Sequence, residues 1–289
     1  MLVQQLVNGL MLGGAYALVA IGYTLIFGVL NLLHLAHGEV FMVGAYVGLA
    51  LALAGFPPWA TLGGAMLAAA VLGIVVERVA FRPVRNRGSH VTPLMTTIAV
   101  GLVLQHVVVK IFGAEPVAVP APFASASLAL GPVTLSTLQL LILGTSLALM
   151  ALLELVLRST PTGLAIRATA ENPTVAGLLG INVSLAIVVT FAIASALAGA
   201  AGVLLAWNFT GLSPFFGVKV GLKGLAIMLL GGLGNVTGAM VGGLLVGVVE
   251  VLSVAYLASS YRDAFAFAVM ILILLVRPTG LLGARLQIG

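Results

Sequence analysis

Cysteine is absent from the 289 residues, and charge is scarce: twelve Lys and Arg and seven Asp and Glu make up 7% of the chain. Without cysteine there are no disulfides, no thiol catalysis and no cysteine-ligated metal. An ordinary soluble protein is about 25% charged, and a soluble domain of this length could not cover its surface with so few charges. No G-x-x-x-x-G-K-[ST] occurs, so no P-loop can cradle ATP phosphates. No H-E-x-x-H occurs either, and the serines lack the setting of a nucleophile elbow. These absences exclude an ordinary soluble enzyme, a disordered chain and a nucleic-acid-binding domain.

What is present is apolar: 62% of the residues, before 36 glycines are counted. That is the composition of an all-α polytopic membrane protein. Apolar stretches fall near 5–30, 38–55, 59–78, 92–112, 136–157, 183–206, 222–234, 238–257 and 263–277. None alternates as a barrel strand would, and most are too long for one. We therefore expect about eight to nine transmembrane helices in one membrane domain, residues 1–289, some of them broken. The first stretch lacks a basic leader and runs past residue 30, so it reads as a retained span. The 222–234 stretch is short and ends in Gly231-Gly232-Leu233-Gly234-Asn235, which predicts a broken helix or a tight turn between two helices within the membrane.

The net charge of +5 is read here as a record of membrane orientation, not as a nucleic-acid surface. Basic residues collect in 78–90 (Arg78, Arg82, Arg85, Arg87), in 158–180 (Arg158, Arg167) and in the tail (Arg277, Arg285). The opposite loops hold little more than Glu115 and Arg262. The basic loops and the C-terminus are thus expected on the cytoplasmic side of a plasma (inner) membrane. If all nine stretches cross, the N-terminus lies outside. The Pro-, Ala- and Ser-rich segment 114–135 has no helical periodicity and is read as an external connector.

Few polar residues interrupt the apolar stretches. His34, His37 and Glu39 have a spacing that could hold a metal on one helical face, but Asn31 and Gly38 predict a helix break that scrambles the face. No metal site is assigned. His37 and Glu39 are read as pathway or helix-junction candidates, bonding backbone groups freed at the break. Glu250, mid-span, must be protonated or paired inside the bundle or against a neighbour. Lys110, Lys219 and Lys223 are expected to snorkel to the external interface, and Trp59 and Trp207 to anchor span ends. The small-x-x-x-small spacings 234/238, 238/242 and 243/247 fit close helix packing or a contact between subunits.

The most informative polar segment is 158–182. Residues 163–171 form an amphipathic helix pattern, Pro173 suits the start of a second helix, and Gly180 and Asn182 end the unit. Such a cytoplasmic hairpin is more than a connection between spans needs. Its Ala170-Glu171 followed by Gly180-Ile181 resembles the coupling loop of ABC importer permeases, most closely the branched-chain amino acid permeases of the LivH type. Further segments agree in order: Gly14-Ala15-Tyr16-Ala17-Leu18 with Gly22-Tyr23-Thr24, His37-Gly38-Glu39-Val40, Glu77-Arg78-Val79-Ala80-Phe81-Arg82-Pro83, Leu230 to Gly243, and Arg277-Pro278-Thr279-Gly280. At His34 the sequence departs from that pattern, which usually has Asn.

The resemblance implies a subunit without catalytic residues or cofactors of its own. It implies a second related permease, two ABC ATPase subunits and an extracytoplasmic substrate-binding protein as partners. The ATPases would dock on the hairpin residues Gly163, Arg167, Ala170, Glu171, Gly177 and Gly180, and their closure would drive alternating access. The solute would be a branched-chain or other hydrophobic amino acid, with urea or short amides as the alternative. An ion-coupled secondary transporter using Glu39 and Glu250 is a rival reading, but it gives no reason for an ordered hairpin. An intramembrane enzyme has no motif to support it.

Overall fold

The computed structural model describes residues 2–84, 91–120, 122, 127–130, 133–209, 211–257 and 259–283; Arg85, Arg87 and Arg285 lie outside them. In chain order the helices are α1 (Leu2–Leu30), α2 (His37–Leu53), α3 (Pro58–Val76), α4 (Val91–Phe112), α5 (Thr137–Ser159), α6 (Pro161–Glu171), α7 (Pro173–Leu178), α8 (Val183–Phe209), α9 (Phe216–Gly231), α10 (Val236–Tyr256) and α11 (Arg262–Val276). Each of the nine apolar stretches is a helix. Six of them are long and apolar enough to cross a membrane, α3 being extended by a π-helical segment Glu77–Phe81. The other three, α2, α9 and α11, have 17, 16 and 15 residues.

α1 is the axis of the bundle, buried without interruption from Met11 to Ile26. It lies antiparallel to α10, with Gly9 at Val248, Gly13 at Leu244 and Ala17 at Gly243. A Cβ at Gly247 would enter the backbone of Gly13, so only glycine lets the two helices approach this closely. α8 makes the corresponding contacts on the other side: Gly199 packs on Gly44 of α2 and on Ala65 of α3. The spacing 243/247 thus serves packing within the chain, as do Gly238 against Gly231 and Gly242 against Ile227.

The helices alternate between two ends. One end, here the near end, gathers the C-termini of α1, α3 and α5, the α6–α7 hairpin, the start of α8 and the α9–α10 turn. α1 stops there at Asn31, which has φ +52°, and the chain turns back inward. His37, the first residue of α2, packs on Gly22, eight residues before the end of α1. At 1.5 Å per residue, α2 therefore begins about 12 Å inside the near end.

The predicted break in 222–234 takes a different form. α9 starts earlier, at Phe216, and ends at Gly231; Gly232 (φ +108°) and Gly234 (φ +76°) make a tight turn into α10. Leu233 and Gly234 are exposed, so this turn caps the near end. The break at depth is the one between α1 and α2.

At the far end two short strand pairs cover the helix termini. β1 (Val117–Ala118) pairs with β4 (Gly211–Leu212), and β2 (Ser127–Leu130) pairs with β3 (Val133–Ser136), both antiparallel. The 114–135 segment is therefore more than a passive connector where it is described, although 121, 123–126 and 131–132 fall outside.

A buried ion cluster ties four helices together below this end. Glu250 of α10, fully buried, accepts hydrogen bonds from Tyr16 of α1 (3.0 Å), Lys223 of α9 (2.8 Å) and Arg262 of α11. Lys223 also meets Asp263 at 2.6 Å. Lys223 is thus a buried partner of Glu250, not a snorkelling end residue, because the helix packing presents it to a carboxylate instead of to the interface. Trp207 is likewise 6% exposed and belongs to the core, whereas Trp59 stands 77% exposed at the start of α3.

Removing one partner of a buried ion pair typically costs about 3–5 kcal/mol. Glu250→Leu is expected to lower thermal stability in detergent by that order, and adding Lys223→Met should recover part of the loss. Equal stability of wild type and Glu250→Leu would show that the cluster holds nothing. Gly247→Leu should be severely destabilising, while Gly144→Ala, whose added Cβ meets nothing within 4 Å, should be neutral or stabilising by up to about 1 kcal/mol.

Candidate functional site

The hairpin is built by its caps. Thr160 precedes Pro161 and accepts a hydrogen bond from Gly163 N (3.0 Å), so α6 starts at a fixed point. Asn172 accepts from Thr174 N and Val175 N, both at 3.0 Å, and starts α7 one residue after α6 ends. Gly180 (φ +84°) reverses the chain, and Asn182 caps α8 through Leu185 N at 3.0 Å.

One face of the hairpin seats on the bundle. Gly163 packs on the Val156–Leu157 turn of α5, and Ile166, Thr169 and Ala176 are buried. The other predicted positions, Arg167, Ala170, Glu171, Gly177 and Gly180, are exposed. Beside them stand Leu164, Val175, Leu178 and Leu179, the last two 83% and 75% exposed. Sequence reasoning missed this apolar tip; the signal was four aliphatic residues in an otherwise polar segment. Behind the hairpin lies a cavity of about 640 Å³, reached by Arg158, Arg167 and Asn235.

The α9–α10 turn receives the C-terminal segment. Leu281 N donates to Leu230 O (2.7 Å), Leu282 N to Gly231 O (3.1 Å), and Asn235 Nδ2 to Leu282 O (2.7 Å). Gly231 and Gly232, with Leu230 and Asn235, thus form a backbone dock, and a Cβ at Gly232 would stand 2.6 Å from Gly283.

The membrane-depth candidates separate into three places. Glu250 belongs to the ion cluster described above. His37 turns toward α1, its ring 4.8 Å from Tyr23 and 5.8 Å from His34, which sits among Phe81 and Phe191. Among the described residues neither His34 nor His37 has a hydrogen-bond partner assigned to a ring nitrogen. The freed backbone groups at the break are met otherwise: Glu39 N and Val40 N donate to Ala36 O, and Leu35 N to Thr97 Oγ1 at 3.3 Å. His37 therefore does not bond the freed backbone as expected.

Glu39 faces away from both histidines, into a cleft of about 230 Å³ between α1, α2, α4 and α9. Tyr23, Thr97, Gln105 and Gly221 share its lining. A Cβ built at Gly101 of α4 would stand 3.2 Å from Glu39 Oε2. His34, His37 and Glu39 do not converge, and among the described residues no group of three His, Asp or Glu is placed to hold a metal.

The comparisons with known proteins agree with one another. A family model described as the branched-chain amino acid transport system / permease component matches residues 5–274. The high-affinity branched-chain amino acid transport system permease protein LivH of Salmonella typhimurium is 40% identical over 97% of this chain and 95% of its own length. The permease protein BraD of Pseudomonas aeruginosa is 38% identical over the same shares. Among solved structures, PsaBC from Streptococcus pneumoniae in complex with Fab superposes with a TM-score of 0.52 at 12% identity, covering 94% of this chain and 91% of that one; it shares the fold alone. With a family match across nearly the whole chain and relatives this similar end to end, the protein belongs to the permease components of branched-chain amino acid transport systems.

Proposed function

We propose that this chain is the membrane-spanning subunit of an ATP-driven importer for branched-chain or similar hydrophobic amino acids. The observation that carries the reading is the capped α6–α7 hairpin with its outward aliphatic tip, on a chain that has no P-loop. A permease without its own ATP site needs a stiff element through which a separate ATPase can push. The caps at Thr160, Asn172 and Asn182 make the hairpin such an element, and Gly163 passes the push directly to α5.

In this reading the hairpin end is cytoplasmic. Arg78, Arg82, Arg158, Arg167 and Arg277 all lie at that end, in keeping with the excess of positive charge on the cytoplasmic side. The N-terminus then lies outside, in the plasma (inner) membrane of the cell. Two ABC ATPases dock on the hairpins of this chain and of a second, related permease, and an external binding protein delivers solute to the far end. ATP-driven closure of the ATPases rocks the two permeases between outward-open and inward-open states. The chain itself needs no cofactor and has no catalytic residue.

Glu171→Lys, or removal of 163–180, should abolish ATPase stimulation by the loaded binding protein while membrane insertion persists. Leu178→Asp with Leu179→Asp should reduce co-purification of the ATPase subunits. Normal transport in these variants would remove the hairpin from the docking role. Purification of this chain alone, with transport after reconstitution without ATP, would overturn the importer reading.

A further inference from the structure

Glu250 and Glu39 both lie at membrane depth, and their surroundings differ. Glu250 is met by two cations and a phenol. Glu39 forms no ion pair with a cation of this chain among the described residues, and it is the one charged residue lining its cleft. A carboxylate at depth is costly without a countercharge, and residues kept there usually face a partner or a pathway. The described residues supply that partner for Glu250 and none for Glu39.

Resting on the amino-acid permease reading, we propose that the cleft between α1, α2, α4 and α9 binds the transported solute, with Glu39 receiving its α-ammonium group. Three observations place the site. Gly101, beside the carboxylate, is the midpoint of α4, about 15 Å from either helix end. Glu39 stands in the first turn of α2, the helix that begins at depth after the α1–α2 break, and irregular backbone at that depth survives only where protein or a cavity shields it. The walls are largely apolar, with Ile98, Leu102, Leu222 and Leu225 around about 230 Å³, which suits one small aliphatic side chain.

The glycines keep the carboxylate accessible. Gly101 leaves its side of α4 bare in front of Oε2. Gly38 packs on Gly217 and Gly221, bringing α9 within reach without side chains filling the floor. Tyr23 and Gln105 add neutral polar groups. Among the described residues no cation lines the cleft, so the solute's own carboxylate is left to whatever closes the mouth, where Leu102, Val218 and Leu222 are exposed. The site therefore recognises an ammonium and a branched aliphatic chain, and discriminates against a branched acid lacking the amine.

The absence of cysteine allows a direct test. Gln105→Cys gives this chain a single thiol in the cleft, read by a maleimide mass tag in the complete importer in vesicles. ATP-driven L-leucine uptake by the wild-type complex is measured first; its absence overturns the permease reading itself. Given uptake, L-leucine and 3-methylbutylamine should slow labelling, and 4-methylpentanoate should not. Glu39→Gln should raise the leucine concentration needed for protection about tenfold or more, the worth of one charge-assisted hydrogen bond, with Glu39→Asp recovering part. Co-purification with the ATPases checks that the variant assembles. Unchanged leucine protection in assembled Glu39→Gln, equal protection by 4-methylpentanoate, or uptake with no protection at all would overturn the proposal while leaving the permease reading intact.

Discussion

Everything in this bundle depends on how closely α1 can be approached. In a bilayer, lipid tails are as apolar as leucine, so burying aliphatic surface drives helices together far less than it does in water. Dispersion between closely packed backbones has to take over, and that requires small residues at the contacts. Gly13 against Gly247, Ala17 against Gly243, and Gly44 against Gly199 satisfy the requirement around α1 and α8. The outer helices α3, α4, α5 and α11 keep their large aliphatic residues on exposed faces, as a lipid-facing layer should.

This close packing also sets the cost of polar groups. With no water at depth, a charge must be met by protein or by something passing through. Around Glu250 the cost is offset locally: Lys223, Arg262 and Tyr16 converge from three helices, and the cluster fixes α11, a short and otherwise peripheral helix, to the core. Around Glu39 no cation among the described residues offsets it. The same helix interfaces that leave no gap for a methyl group at Gly38 leave a cleft of about 230 Å³ beside it. Rigidity and openness are thus adjacent, which suits a path that must hold its shape yet release what it binds.

The hairpin is the other place where local chemistry decides geometry. Two side-chain caps and two prolines define α6 and α7, and a third cap, Asn182, starts α8, all within 23 residues from Thr160 to Asn182. Most cues for it are local in sequence, so the chain alone makes it legible: the helix pattern, Pro173, Gly180 and the polar residues all fall in order. The aliphatic tip is not legible in the same way, because exposure of Leu178 and Leu179 depends on which face Gly163 and Ile166 turn toward α5.

By itself the sequence determined the membrane class, all nine helices, the hairpin and the family resemblance, because hydropathy, caps and turn residues act over a few positions. It also placed the α1–α2 break, through Asn31 and Gly38, and required Glu250 to be protonated or to find a partner. Only the tertiary structure decided who that partner is, for Lys223 lies 27 residues away and reads in isolation as an interfacial lysine. Only it decided that the glycine turn after α9 caps one end instead of interrupting the membrane interior, and that His37 and Glu39, two residues apart, face opposite environments. The reason is the same in each case. A helix presents its residues in all directions, and which direction is lipid, core or cleft is set by neighbours that are distant in sequence.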